Sequence, residues 1–181
     1  MDEKRARFEE QVLPHLDAAY RFAHWLSNAP GDVDDVVQEA VLRAFRGLDG
    51  LRGSDVKAWL LAIVKNCHLT ALKQRQRQAC VPLPEESDAQ HAYAMTATTP
   101  DPQDASILRD EQRTLDRLIA ALPEEHRTVL MLREIEEMDY RQIALVTNVP
   151  IGTVMSRLAR SRALLKARWL QEIEGEPRAV R

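Results

Sequence analysis

The stretch Tyr140-Arg-Gln-Ile-Ala-Leu-Val-Thr-Asn-Val-Pro-Ile-Gly-Thr-Val-Met-Ser-Arg-Leu-Ala-Arg160 decides the fold. It reads as a helix, a tight turn and a second helix whose outer face is basic. Ile143, Ala144 and Val146 belong to the first helix, and Ala144 is small enough for another helix to cross closely. Asn148 marks the turn, because asparagine is one of the few types besides glycine that tolerate left-handed backbone angles. Pro150 suits the first turn of the next helix, where its missing N–H would have no intrahelical partner. Val154, Leu158 and Leu165 then continue a buried stripe. Thr153, Ser156 and Arg160 lie away from it, with Arg157 at its border. From Ile151 to Gln171 there are five basic residues (Arg157, Arg160, Arg162, Lys166, Arg168) and no acid. Small residue, turn residue and one-sided charge coincide, as in a helix-turn-helix that presents its second helix to a DNA major groove.

The bulk charge points the other way until it is resolved along the chain. The 181 residues carry a formal charge of −3. Val81 to Glu125 holds ten acids against three arginines, whereas Lys65 to Gln78 holds four bases and no acid. Two basic segments thus flank an acidic middle, and local fields outweigh the sum. No apolar run approaches the roughly 20 residues needed to cross a bilayer, and Asp2, Glu3, Glu9 and Glu10 do not read as a signal peptide. Cys67 and Cys80 lack the spacing of a zinc site, and the adjacent Cys67 and His68 would point apart on a helix. A soluble cytoplasmic protein with no cofactor and no metal is expected.

Helical periodicity dominates, so the fold class is all-α. Phe8, Val12, Leu16, Ala19, Tyr20, Ala23 and Leu26 form a stripe interrupted by Pro14, predicting a short helix and then a longer one from near Pro14. Asp32 is placed to cap a third helix bearing Val33, Val36, Val37, Ala40, Val41, Ala44, Phe45 and Leu48. After the Gly47, Gly50 and Gly53 loop, Ser54 is placed to cap a long helix through Ala58, Leu61, Ile63, Val64, Leu69 and Leu72. From Val81 to about Pro100 periodicity vanishes into a polar, acidic linker expected to be flexible. Asp101-Pro102 opens a helix through Ile107, Leu108, Leu115, Leu118, Ile119 and Leu122. Pro123 opens another, bearing Val129, Leu130, Leu132 and Ile135, which leads into the helix-turn-helix. Two small helical domains are expected, 1–80 and 101–175, joined by the linker 81–100.

Four words of this sequence narrow the reading. Asp34-Asp-Val-Val-Gln-Glu-Ala-Val-Leu-Arg-Ala-Phe45 resembles the most recognisable helix of the bacterial extracytoplasmic-function (ECF) sigma factors. Ala58-Trp-Leu-Leu-Ala-Ile-Val-Lys-Asn66 looks like the helix that follows it in that family. Leu122-Pro-Glu-Glu-His-Arg127 and Gly152-Thr-Val-Met-Ser-Arg-Leu158 resemble the second domain's entry and recognition helix. The resemblance covers both domains in order. It implies a non-enzymatic subunit that binds core RNA polymerase, recognises a −10 element with its first domain and a −35 element with its second, and answers to an anti-sigma factor, often in a stress response.

The resemblance also assigns residues. Asp34, Asp35, Gln38, Glu39 and Arg43 lie off the apolar stripe, on the face that in the family docks a coiled coil of the polymerase's largest subunit. The loop containing Asp49 and Arg52, with the helix after it, corresponds to the family's pocket for a flipped −10 base. There Asn66 offers amide donors and acceptors, while Lys65, Lys73, Arg75 and Arg77 suit phosphates. The spacing of Trp59 to Ile63 marks it as core rather than as a stacking platform. For the −35 element, Arg157 and Arg160 suit base or phosphate contacts, and Thr153 and Ser156 suit phosphate or base edges. Gly152 permits close approach of phosphate to the helix N-terminus. Met155 stands where many relatives have a basic residue and suits a thymine methyl. The acidic linker corresponds to the segment that relatives thread through the polymerase's RNA path.

Two rival readings compete with this one. A stand-alone helix-turn-helix regulator would use dimer symmetry and has no need of the helix from Asp34 to Phe45. An enzyme would need a phosphate loop, a paired-carboxylate site or a nucleophile constellation, and none is apparent.

Overall fold

The computed structural model describes residues 2–27, 31–51, 53, 55–78 and 102–175. Among them the chain forms eight α-helices and no strand, in line with the all-α expectation. The first four are α1 (Asp2–Gln11), α2 (Leu16–Leu26), α3 (Gly31–Gly47) and α4 (Val56–Gln78). The other four are α5 (Pro102–Ala120), α6 (Glu124–Glu134), α7 (Tyr140–Thr147) and α8 (Ile151–Gly175). The linker 81–100, with Arg52, Ser54, Cys80 and Asp101, lies outside the described residues.

In the amino-terminal half, α2, α3 and α4 pack against one another pairwise. Pro14 falls in a short 3₁₀ turn, Leu13–His15, that separates α1 from α2. Phe22, Leu26, Val37, Leu48, Leu60, Leu61 and Val64 are fully buried between these helices. The Phe8 ring of α1 meets the Phe45 ring of α3 edge-on, with centroids 5.3 Å apart. Trp59 packs on the same core, beside Gly47. Two caps differ from the sequence reading. Asp32 sits inside the first turn of α3, where the helix dipole favours its charge, and it pairs with Arg75 of α4. The cap of α4 is Asp55, whose Oδ1 accepts the Ala58 N–H at 3.0 Å, because the helix starts at Val56.

In the carboxy-terminal half, α8 is the spine on which α5, α6 and α7 lie. Leu118, Ile119 and Leu122 are buried as expected, but Leu115 is exposed. The small core that receives α5 gathers Ile119, Leu122, Leu130 and Met131 and leaves Leu115 outside. Ile135 is likewise exposed, because it falls just beyond the end of α6. Asn148 has φ 56° and ψ 45°, so the turn between α7 and α8 is left-handed where the sequence placed it. Pro150 stands one residue ahead of α8, and its carbonyl accepts the Thr153 and Val154 N–H groups. The start of α7 is fixed by a capping box. Asp139 Oδ1 accepts from the Arg141 and Gln142 N–H groups, both at 2.8 Å, while Gln142 Oε1 accepts from the Asp139 N–H at 2.7 Å.

The two halves close on each other. Helix α2 packs on α6 and α4 on α7, and one continuous core runs from Phe22, Leu61 and Val64 to Val129, Leu132, Met138, Ile143 and Val146. Trp25 of α2 packs on the small core formed by Ile119, Leu122, Leu130 and Met131. Replacing Asp139 by alanine should remove the cap of α7 and lower stability by about 1 kcal/mol. Urea denaturation followed by circular dichroism measures this; an unchanged midpoint would contradict the role of the cap.

Candidate nucleic-acid interface

Helix α8 turns one face inward and one outward, as its 3.6-residue period requires. Val154 and Leu158 are buried against α6 and α7. Gly152, Met155, Ser156 and Arg160 are exposed, and Thr153 is half-buried. A Cβ at Gly152 would meet nothing within 4 Å, so packing inside the chain does not demand glycine there and its backbone stands open. Ser156 Oγ donates to the Thr153 carbonyl at 3.0 Å, a bond that leaves the oxygen's lone pairs outward. The two arginines differ. Arg157 is mostly buried and ion-paired with Glu125 of α6 at 2.5 Å, whereas Arg160 is exposed with no ion-pair partner among the described residues.

The basic face of α4 is distributed less uniformly than its sequence implies. Asn66 and Lys73 are exposed. Arg75 is committed to Asp32. Lys65 lies in the contact between the halves, where its ammonium donates to the Thr147 carbonyl at 3.0 Å. Thr147 closes α7, so this cation sits at the negative end of a helix dipole. Burial lowers the Lys65 pKa below its ordinary value, Arg157 adding in the same direction while Glu124 and Glu125 oppose. Asp49 points to α1, held by Lys4 at 2.6 Å and facing Arg7 at 3.6 Å, and the hydrogen bond from Lys4 lowers its pKa. Arg52 lies outside the described residues.

A third surface lies on α3. Asp34, Asp35, Gln38 and Arg43 are exposed, and half-buried Glu39 pairs with Arg43 at 2.6 Å. A cleft of 510 Å³ opens beside them, between α3 and α4, with Cys67 at its floor. Burial raises the Cys67 pKa, which makes the thiol a weak nucleophile. Burial lowers the pKa of neighbouring His68, so its ring is neutral at pH 7. Among the described residues no three His, Cys, Asp or Glu side chains group as metal ligands.

Sequence reasoning missed a fourth feature, the polar seam between the halves. Glu136 follows α6, and its side chain is only 1% exposed. Its carboxylate takes a fork from Arg21, Nε and Nη2 each at 3.0 Å, and lies 2.8 Å from Lys57 Nζ. Lys57 Nζ also donates to the Glu136 carbonyl at 2.8 Å. Gln142 Nε2 donates to Asp55 Oδ2 at 2.8 Å, so the caps of α4 and α7 are tied to each other. These partners stand 79 to 115 residues apart. The sole local signal was the capping pattern Asp139-Tyr-Arg-Gln142.

Comparison with known proteins places this geometry. Residues 12–78 match the Sigma-70 region 2 family and residues 112–165 match Sigma-70, region 4. The ECF RNA polymerase sigma-E factor of Escherichia coli K12 is 35% identical over 136 residues, covering 73% of this chain and 71% of that protein. The chain belongs to the ECF RNA polymerase sigma factors. The ECF sigma factor SigE of Mycolicibacterium smegmatis is 32% identical over 163 residues, which cover 88% of this chain and 60% of that protein. Two solved structures share the fold. Bartonella quintana RpoE, in complex with the anti-sigma factor NepR, has a TM-score of 0.70 and 24% identity, covering 88% of this chain and 94% of that one. CnrH, in complex with the cytosolic domain of CnrY, has a TM-score of 0.61 and 23% identity, covering 91% of this chain and 88% of that one.

Replacing Arg160 by alanine should leave stability within about 0.5 kcal/mol, as for exposed residues generally. If Arg160 meets a phosphate, the slope of log affinity for duplex DNA against log salt should shrink by about 0.9. Fluorescence anisotropy across a salt series gives both affinity and slope. Unchanged binding would remove Arg160 from the interface.

Proposed function

We propose that this ECF sigma factor binds core RNA polymerase and directs it to promoters, acting in the cytoplasm and performing no catalysis itself. The observation that carries the reading is the outward face of α8. It follows a left-handed Asn148 turn and offers Gly152, Met155, Ser156 and Arg160 exposed, with Thr153 half-buried beside them. The order of the two matched family regions supports it, and so does the absence, among the described residues, of a helix long and apolar enough to cross a membrane.

In this reading residues 1–80 engage the polymerase and the −10 element, residues 101–175 read the −35 element, and 81–100 connect them. Asp34, Asp35, Gln38, Glu39 and Arg43 meet the polymerase through charge and amide contacts around the cleft on α3. Asn66 reads a base edge, while Lys65, Lys73 and Arg75 neutralise phosphate, and Asp49 and Arg52 shape the adjoining loop. On α8, Arg160 is the base or phosphate contact, and Arg157 joins it when freed from Glu125. Met155, 53% exposed, covers a thymine methyl. An anti-sigma factor that holds the chain idle fits this reading as well, since the similar sigma factor RpoE was solved with the anti-sigma factor NepR.

Initiation by reconstituted polymerase from promoter libraries, randomised separately at each element, tests the assignment. The wild-type chain should select promoters. A variant with Gln38→Ala, Glu39→Ala and Arg43→Ala should bind core polymerase weakly and initiate poorly. Asn66→Ala should relax preference at the −10 element only. Arg160→Ala should relax one −35 position, by about 1–3 kcal/mol if it reads a base. Swapped effects, or an unaffected triple variant, would overturn the assignment.

A further inference from the structure

The seam between the halves combines two facts with a common consequence. First, it buries a carboxylate. Glu136 has its side chain 1% exposed, and both cations that face it, Arg21 and Lys57, come from the amino-terminal half. A carboxylate so enclosed depends on those cations, because an isolated charge would not remain ionised away from water. Second, closing the seam covers part of the candidate nucleic-acid surfaces. Lys65 is half-buried there and tied to the Thr147 carbonyl at 3.0 Å.

We propose that Glu136 is the latch of an autoinhibited closed state of the free chain. With Arg21 and Lys57 gripping it, α7 is held on α4 and the Lys65 ammonium is withheld from DNA. Opening breaks the fork from Arg21, both bonds from Lys57 and the Gln142–Asp55 bond, and it returns Lys65 to solvent. Glu136 suits a latch because its neighbours fix it in place. Met138 beyond it is buried, and Glu137 between them takes a left-handed φ of 55°, so the carboxylate has little freedom to turn outward. The closed geometry stands on these contacts alone. Only its meaning as autoinhibition rests on the sigma-factor reading.

Glu136→Gln keeps the shape and removes the charge. Spin labels on keto side chains introduced at exposed Gln76 and Lys166 of the full chain report the separation of the halves. The wild type should give one narrow distance distribution, and Glu136→Gln a broad population at longer distance. Affinity for promoter DNA, measured by fluorescence anisotropy, should rise roughly fivefold or more in the variant. Lys57→Met, which acts from the opposite side of the seam, should give the same two changes, and far-ultraviolet circular dichroism shows whether each variant keeps its helices. An unchanged distance distribution in both folded variants would overturn the latch. Opening without tighter DNA binding would overturn its autoinhibitory role. A wild-type chain that fails to bind core polymerase would overturn the sigma-factor reading and autoinhibition with it, and the distances would still decide whether Glu136 holds the halves.

Discussion

A carboxylate buried between two cations of a distant segment is the constraint on which the arrangement of this chain depends. Pairing Glu136 with Arg21 and Lys57 adds little net stability compared with apolar residues in the same place, because desolvation offsets most of the attraction. Cohesion between the halves comes instead from apolar burial, with Trp25 on the core of Ile119, Leu122, Leu130 and Met131, and α4 against α7. The ion pairs add register. Sliding one half past the other would leave charges buried without partners, at a cost of about 3–5 kcal/mol for a broken buried pair. Apolar contact holds the halves together, and Glu136 fixes how.

The same residues therefore serve two arrangements. Lys65 sits at the carbonyl end of α7 in the closed chain, and in the proposed open one it is freed to meet phosphate. Gln142 completes the capping box of α7 and at the same time reaches Asp55, the cap of α4. Arg157 rests on Glu125 of its own half and borders the outward face of α8. In contrast, Asn66, Lys73, Met155, Ser156 and Arg160 remain exposed. Closure thus engages Lys65 across the seam and leaves these residues open.

Local chemistry made the helices legible in the sequence. Asn148, Pro150 and the Val154–Leu158 spacing announce the helix-turn-helix because turn angles and helical period are properties of short segments. Errors stayed local too. Asp32 sits inside the first turn of α3 rather than ahead of it, and Leu115 and Ile135 fall outside the core although their spacing fits a buried stripe. The exposed residues of α8 were readable for the same reason. What the sequence withheld is the seam. Glu136 looks like one more surface acid among Glu134 and Glu137, and nothing nearby distinguishes it. Its burial depends on Arg21 and Lys57, which are far away along the chain, and periodicity carries no information about such pairs.

Small-angle X-ray scattering from the free chain at low concentration tests most directly whether the halves close in solution. Closed, its 181 residues should scatter as a particle with a radius of gyration of about 16–18 Å, near the value for a compact fold of that length. A radius well above roughly 20 Å, with the pair-distance distribution of two separate bodies, would contradict the account.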